Sequence, residues 1–279
     1  MFKVTRLLVS SAILAAAPVG FAKAADYDPP IVIEEAPDLV PVEIGSGWYL
    51  RGDIGYSLKT EGKDPFVYRT FDGASYGSSQ FKSASLSKDF SFGVGFGYSF
   101  TDWLRADVTV DRFSGSFSGT TSSASPCPTA PAGTTCRSED SSEFTAYSAM
   151  INGYVDLGTF VGFTPYVGAG VGYTYVKWDD LNNSSYCVGA TCPSPALVGT
   201  TAHGGASDWR FTYALMAGVA YDVTDNMKID VGYRYRSIAG GDMFNWDAAT
   251  ATAGATGIQA NDPGFNSHEV RVGLRYELW

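Results

Sequence analysis

The sequence predicts an all-β protein: an eight-stranded antiparallel up-and-down transmembrane β-barrel. Three observations predict it. Apolar and polar residues alternate with a period of two through eight segments, as strand side chains do when they point to opposite faces. Short and long connections follow each other in turn, as a meander with tight turns at one end and long loops at the other requires. Each segment runs about 10–14 residues, where a tilted membrane-crossing strand needs about 9–11.

Composition sets the outer bounds. The 279-residue chain is 14% aromatic, which is too aromatic for a disordered chain. Its 19 Lys and Arg against 29 Asp and Glu give net −10, so the chain lacks the basic surplus of a nucleic-acid binder. Two His and four Cys leave little for a metal centre, and no metal site or cofactor is expected.

Residues 1–24 read as a secretory signal peptide. Lys3 and Arg6 precede the apolar stretch Leu7 to Val19, and Ala22-Lys23-Ala24 fits the small-x-small cleavage pattern. That stretch is shorter than the roughly 20 residues of a spanning helix and holds Ser10, Ser11 and Pro18. Residues 25–45 carry Pro29, Pro30, Pro37 and Pro41 among acidic residues, and read as an extended periplasmic leader. The barrel is expected over residues 46–279.

The strands follow in order. Trp48, Leu50, Ile54, Tyr56 and Leu58 share one face of the first. Phe90, Phe92, Val94, Phe96, Tyr98 and Phe100 alternate with Ser and Gly in the second, and Thr101-Asp102 turns the chain. Leu104, Ala106, Val108 and Val110 mark the third. Tyr147, Ala149, Ile151, Val155 and Leu157 mark the fourth. Val167 to Tyr175, Trp209 to Val223, Ile229 to Tyr235 and Val270 to Leu278 supply the remaining four. Long, Gly/Ser/Thr-rich surface loops are expected near residues 59–89, 116–142, 178–207 and 239–267.

The apolar faces are expected to meet lipid. Phe92, Val108, Phe211 and Leu274 should therefore point outward. Aromatic residues cluster at segment ends, with Trp48, Phe100, Trp103, Tyr221 and Trp279 at the short-turn end and Tyr56, Tyr175, Trp178 and Trp209 at the long-loop end, as two interfacial girdles would. A soluble barrel with the apolar face inward is the competing fold.

The polar faces then fill the bore. Eight basic residues meet eight acidic ones there, and a lumen charge network is expected from Arg51, Asp53, Arg105, Asp107, Lys228, Asp230, Arg236, Glu269, Arg275 and Glu277, with Arg210, Arg234, Arg271, Asp111, Asp156 and Asp222 beside them. An eight-strand barrel is only wide enough for its own side chains. Inward Gly rows on the second and fifth strands leave room for Arg and for Tyr49, Tyr154 and Tyr166, so a filled interior is expected. One register of the last two strands would set Lys228 opposite Glu277, Asp230 opposite Arg275 and Arg236 opposite Glu269.

Four cysteines allow three pairings. The simplest is local, Cys127 with Cys136 and Cys187 with Cys192, each pair closing one loop and adding at most about 2–3 kcal/mol.

Two stretches carry a resemblance. Arg271-Val272-Gly273-Leu274-Arg275-Tyr276-Glu277-Leu278 looks like the C-terminal signal read by the barrel assembly machinery, with Arg271, Gly273, Tyr276 and Leu278 in its pattern and the terminal aromatic, Trp279, one step out of phase. Gly47-Trp48-Tyr49-Leu50-Arg51-Gly52-Asp53-Ile54-Gly55-Tyr56 resembles the first strand of small α-proteobacterial outer-membrane proteins. With the Pro-rich leader, the chain resembles the OmpA-like, opacity-type barrel family from about residue 47 to 279. That resemblance implies a surface protein of a Gram-negative outer membrane, in contact with lipid and lipopolysaccharide, with a role in envelope integrity and surface or host interaction.

Two other functions compete. A small-solute channel would use the Gly-lined strands, but the balanced inner charges oppose it. A lipid-modifying enzyme would use His268 between Ser267 and Glu269, but neighbours on a strand point to opposite faces, so no catalytic residue is expected. The Gly-x-Gly runs at 93–97 and 168–172 lack the helix and Lys-Ser/Thr of a phosphate loop. Asp179-Asp180 and Asp225 read as solvated turn acids.

Overall fold

The computed structural model describes residues 47–63, 65–87 and 89–278. The expected signal peptide, the leader and Trp279 lie outside the described residues. Along the chain run β1 (Trp48–Gly62), β2 (Val67–Phe71), β3 (Tyr76–Gln80), β4 (Ser83–Leu86), β5 (Phe90–Thr101), β6 (Leu104–Ser123), β7 (Thr135–Asp156), β8 (Phe163–Trp178), β9 (Leu181–Val188), β10 (Leu197–His203), β11 (Ser207–Thr224), β12 (Met227–Asn245), the short helix α1 (Ala248–Thr252) and β13 (Ile258–Glu277).

The pairings close a ring. β1 bonds β5 on one side and β13 on the other, and the circuit runs on through β6, β7, β8, β11 and β12, antiparallel at every step. Closure removes free edges, and so every backbone group in the membrane band can be bonded within the ring.

Within this band the strands do what their alternation dictates. Phe92 is 54% exposed, Val108 52%, Phe211 50% and Leu274 48%, while Asp107, Asp111, Arg234 and Glu269 are buried. A soluble core would reverse these values. Contiguous exposed apolar surface around a whole ring is intolerable in water and required in lipid. The outward run from Phe90 to Phe100 rises about 3.3 Å per residue and, tilted by about 40°, covers about 25 Å.

The four connections expected as loops are built differently. β6 continues to Ser123 and β7 starts at Thr135, so the two form one long hairpin. β12 and β13 likewise stay paired up to Asn245 and Ile258. Shorter strands fill in between: β9 takes over from β8 along β7, β4 takes over from β5 along β6, and β2 joins β13. A second, water-exposed tier therefore stands on the membrane tier.

Its interior is apolar. Phe113, Phe117, Phe144, Trp178, Leu181, Phe244 and Phe265 are buried together, with Phe66 beside them. On β6 the change of tier is a change of residue type without a change of direction. The inward residues run Arg105, Asp107, Thr109, Asp111 and then Phe113 and Phe117; the outward ones run Ala106, Val108, Val110 and then Arg112, Ser114, Ser116 and Ser118. This corrects the expected girdle at Trp178. That ring is 1% exposed and packs on Phe144, 4.9 Å between centroids, and on Phe244. Tyr56 and Trp209 do face outward.

Candidate functional site

Two features could carry a function, the bore and the interior of the surface tier. In the bore the charged side chains are ion-paired, and the central ones, Arg51, Asp53, Asp107, Asp111, Arg234, Glu269 and Arg271, form one connected network. Arg51 pairs with Asp53 at 2.7 Å and with Asp107 at 2.8 Å. Asp107 also accepts from the Tyr49 hydroxyl at 3.1 Å and from Asn152 Nδ2 at 2.8 Å. Arg105 reaches Asp156 at 3.1 Å and lies over the Tyr154 ring at 4.2 Å. Higher up, Asp111 receives Arg234 at 2.9 Å and Arg271 at 3.0 Å, and Arg271 also touches Asp53 at 3.3 Å. Glu269 receives Arg234 at 2.6 Å and is hydrogen-bonded by Ser91. Lys228 bonds Asp222 at 2.9 Å near the short-turn rim.

The expected register is corrected. β12 and β13 pair two residues away from it, with Lys228 opposite Arg275, Asp230 opposite Gly273, Arg234 opposite Glu269 and Arg236 opposite Ser267. The physical reason is that partners in a narrow bore also come from across it. Arg271 finds Asp111 of β6, so charges need not be matched along one strand pair. The expected partners survive as diagonals: Lys228–Glu277 at 3.7 Å, Asp230–Arg275 at 3.9 Å and Arg236–Glu269 at 4.0 Å. The Arg236 guanidinium instead lies over Phe113 at 3.9 Å, joining the charged bore to the aromatic tier.

Tyrosines close the remaining space. Tyr49, Tyr154 and Tyr166 are buried, and inward glycines admit them: a Cβ at Gly97 would strike the Tyr49 ring, and one at Gly168 the Tyr154 ring. Among the described residues, small cavities remain of about 10 Å³ beside Arg51, Asp53 and Tyr154, and of about 20 Å³ between Ser57, Phe113 and Glu269. Each holds about one water. Arg210 is paired too, with Asp208 at 2.7 Å and Asp262 at 2.6 Å. Asp262 lies in a segment expected to be loop, so its pairing escaped the sequence reading. The only signal was its inward phase on an unrecognised strand.

The other candidates fall as follows. Cys127 bonds Cys136 and Cys187 bonds Cys192, with Cα separations of 4.8 and 5.6 Å, both in the surface tier. Of the C-terminal signal residues, Arg271 and Gly273 face the bore and Tyr276 faces outward. His268 points outward against Tyr233, whereas Ser267 and Glu269 are buried in the bore, so the three do not converge.

The surface tier contains a further arrangement. A cavity of about 80 Å³ lies above Phe244, walled by Tyr68, Phe81, Asp140, Asn183 and His203. Asp140 accepts from Ser138 Oγ at 2.9 Å and from Asn183 Nδ2 at 2.6 Å. Burial pushes its carboxyl up and pushes the His203 imidazole down from their ordinary values. His203 falls in the segment expected as loop at 178–207 and Asp140 in that at 116–142, where the polar outward face of β7 hides the strand.

Comparison with known proteins gives four findings. Residues 12–277 match the outer membrane protein beta-barrel domain family. The chain is 41% identical over 284 residues to an uncharacterized protein of Brucella melitensis, covering 93% of this chain and 94% of that one. It is 26% identical over 234 residues to a putative adhesin of Rickettsia conorii, covering 83% and 82%. Among solved structures, OprG of Pseudomonas aeruginosa aligns with a TM-score of 0.46 at 14% identity, over 84% of this chain and 96% of that one.

Proposed function

The chain belongs to the outer membrane protein β-barrel family, and from that premise we propose that it is a non-enzymatic barrel that supports envelope integrity and interacts with other surfaces through its upper tier. It resides in the outer membrane of a Gram-negative bacterium. One observation carries the reading. The bore is closed twice, by the ion-pair network around Asp111 and by the aromatic core above it, with a cavity of about 10 Å³ inside the network and one of about 20 Å³ between the two. Opening it would mean separating buried ion pairs, which costs about 3–5 kcal/mol for each partner lost.

The surface tier is the part that differs from a minimal barrel, and its two disulfides brace it. The likeness to a putative adhesin supports the same reading. On this account the outward band contacts lipid and lipopolysaccharide, and the last strand is the segment offered to the assembly machinery. Planar-bilayer recording of the refolded chain tests the closed bore. Baseline current without reproducible steps is expected; stable unitary conductance would replace this reading with a small-solute channel. Adhesion of cells expressing the chain with and without the tip residues 120–138 tests the surface role, and equal adhesion would remove it.

A further inference from the structure

The cavity above Phe244 presents an unusual combination of groups. Asp140 is 3% exposed and has no cation within 4.0 Å among the described residues, and no Lys or Arg lines the cavity. His203 is 8% exposed, and its Nδ1 has no hydrogen-bond partner among the described residues. Three aromatic rings, Tyr68, Phe81 and Phe244, complete the wall. A buried carboxylate without a counter-ion is costly, and the cost is relieved when a ligand supplies the charge. The buried acids of the bore below, Asp53, Asp107, Asp111 and Glu269, each have an Arg within 2.9 Å, so Asp140 stands apart from that network.

We propose that this cup binds a small organic ammonium group, with Asp140 as counter-ion, His203 Nδ1 as a second acceptor, and Tyr68, Phe81 and Phe244 as an aromatic wall. The chemistry matches on each count. An ammonium offers only donors, and Asp140 and a His203 protonated on Nε2 offer only acceptors to it. Aromatic faces attract cations within about 6 Å, most strongly where water is excluded. The volume of about 80 Å³, where about 10–15 Å³ holds one water, admits an ammonium on a short carbon stem. With Asp140 ionised against a bound cation and His203 neutral, the cup carries a negative charge and selects a cation over an isosteric alcohol. The same group could reach the cup as a lysine side chain of a protein or as an aminoethyl phosphate headgroup. The inference rests on the surface-interaction reading for its biological use, but not for the binding itself.

The test titrates the refolded full chain in detergent micelles by NMR, with methylammonium, tert-butylammonium and the latter's uncharged isostere tert-butanol. Saturable binding of an ammonium, at least tenfold tighter than tert-butanol, is expected. Asp140→Asn should weaken it more than tenfold, and His203→Leu by a smaller factor. If Asp140→Asn fails to fold, the wild-type comparison of cation with isostere still decides. Equal binding of tert-butanol, no saturable ammonium binding, or an Asp140→Asn chain that binds like wild type would each overturn the proposal. Nα-acetyl-lysine methylamide against phosphoethanolamine then separates the two sources. Ammonium binding with unchanged adhesion on deletion of the tier tip would uphold the cup while removing the adhesive role. No binding with adhesion lost on that deletion would do the reverse.

Discussion

The two tiers of this barrel solve opposite problems with the same strands. In the membrane tier Val108 and Val110 of β6 face out and Asp107 and Asp111 face in; one turn of the pleat higher, Ser116 and Ser118 face out and Phe113 and Phe117 face in. Nothing rotates between them. The strand keeps its two-residue period, and only the environment outside the ring changes from lipid to water. Where the outside is lipid, burying apolar surface gains nothing, and the interior is held by ion pairs and hydrogen bonds that would otherwise be unsatisfied. Where the outside is water, an aromatic core supplies the driving force, as in any soluble domain.

This contrast can be broken from either side. The largest effect is expected from Phe117→Ala, since Phe117 is 0% exposed and touches Phe66, Phe81, Trp178 and Phe244. A loss of about 4 kcal/mol from the surface tier is expected. Limited proteolysis should then cut within residues 113–144 while the heat-dependent gel shift of the membrane tier persists. Loss of both together would mean the tiers are one cooperative unit.

Arg234→Met attacks the other tier. It leaves Asp111 with Arg271 alone and takes from Glu269 its closest basic partner, and should cost about 3 kcal/mol. The urea midpoint for loss of the gel shift should fall, while protease resistance at 113–144 stays. Reducing the two disulfides should matter less, about 2–3 kcal/mol at most, and only in the surface tier, as amide exchange in β7 residues 135–143 would register.

The smallest effect concerns a turn. Asp72, between β2 and β3, accepts from the Ser75 amide at 2.7 Å, the Ser75 hydroxyl at 2.8 Å and the Ala74 amide at 3.0 Å, which lowers its carboxyl to about 2. A depressed acid adds stability above its unfolded value of about 4, and that contribution fades as pH falls toward 2. The Ala74 and Ser75 amide shifts should move over that interval, and Asp72→Asn should abolish the movement.

The membrane tier was legible because its alternation is strong. Phe90 to Phe100 and Trp209 to Val223 could be nothing else. The surface tier was not, because its outward residues are Ser, Thr, Gly and acids, which alone read as loop. Yet Phe113, Phe117 and Phe144 stand in phase with Asp111 and Ser148 on the inner face, so the strand could have been followed by its inward residues. The register of β12 and β13 is not legible from charge matching along the pair, because Arg234 and Arg271 both find Asp111 on β6. Trp178 was assigned to an interface by its type and position, whereas its phase places it inside with Val176 and Thr174.

The direct measurement follows the outer face of β6 across the boundary. Single nitroxide labels at Ala106, Val108, Val110, Ser114, Ser116 and Ser118 in liposomes report exposure to oxygen and to a water-soluble nickel chelate. Oxygen should dominate at 106, 108 and 110, with nickel taking over at 116 and 118. Nickel access at Val108, or an oxygen-rich lipid profile continuing through Ser118, would contradict the two-tier account.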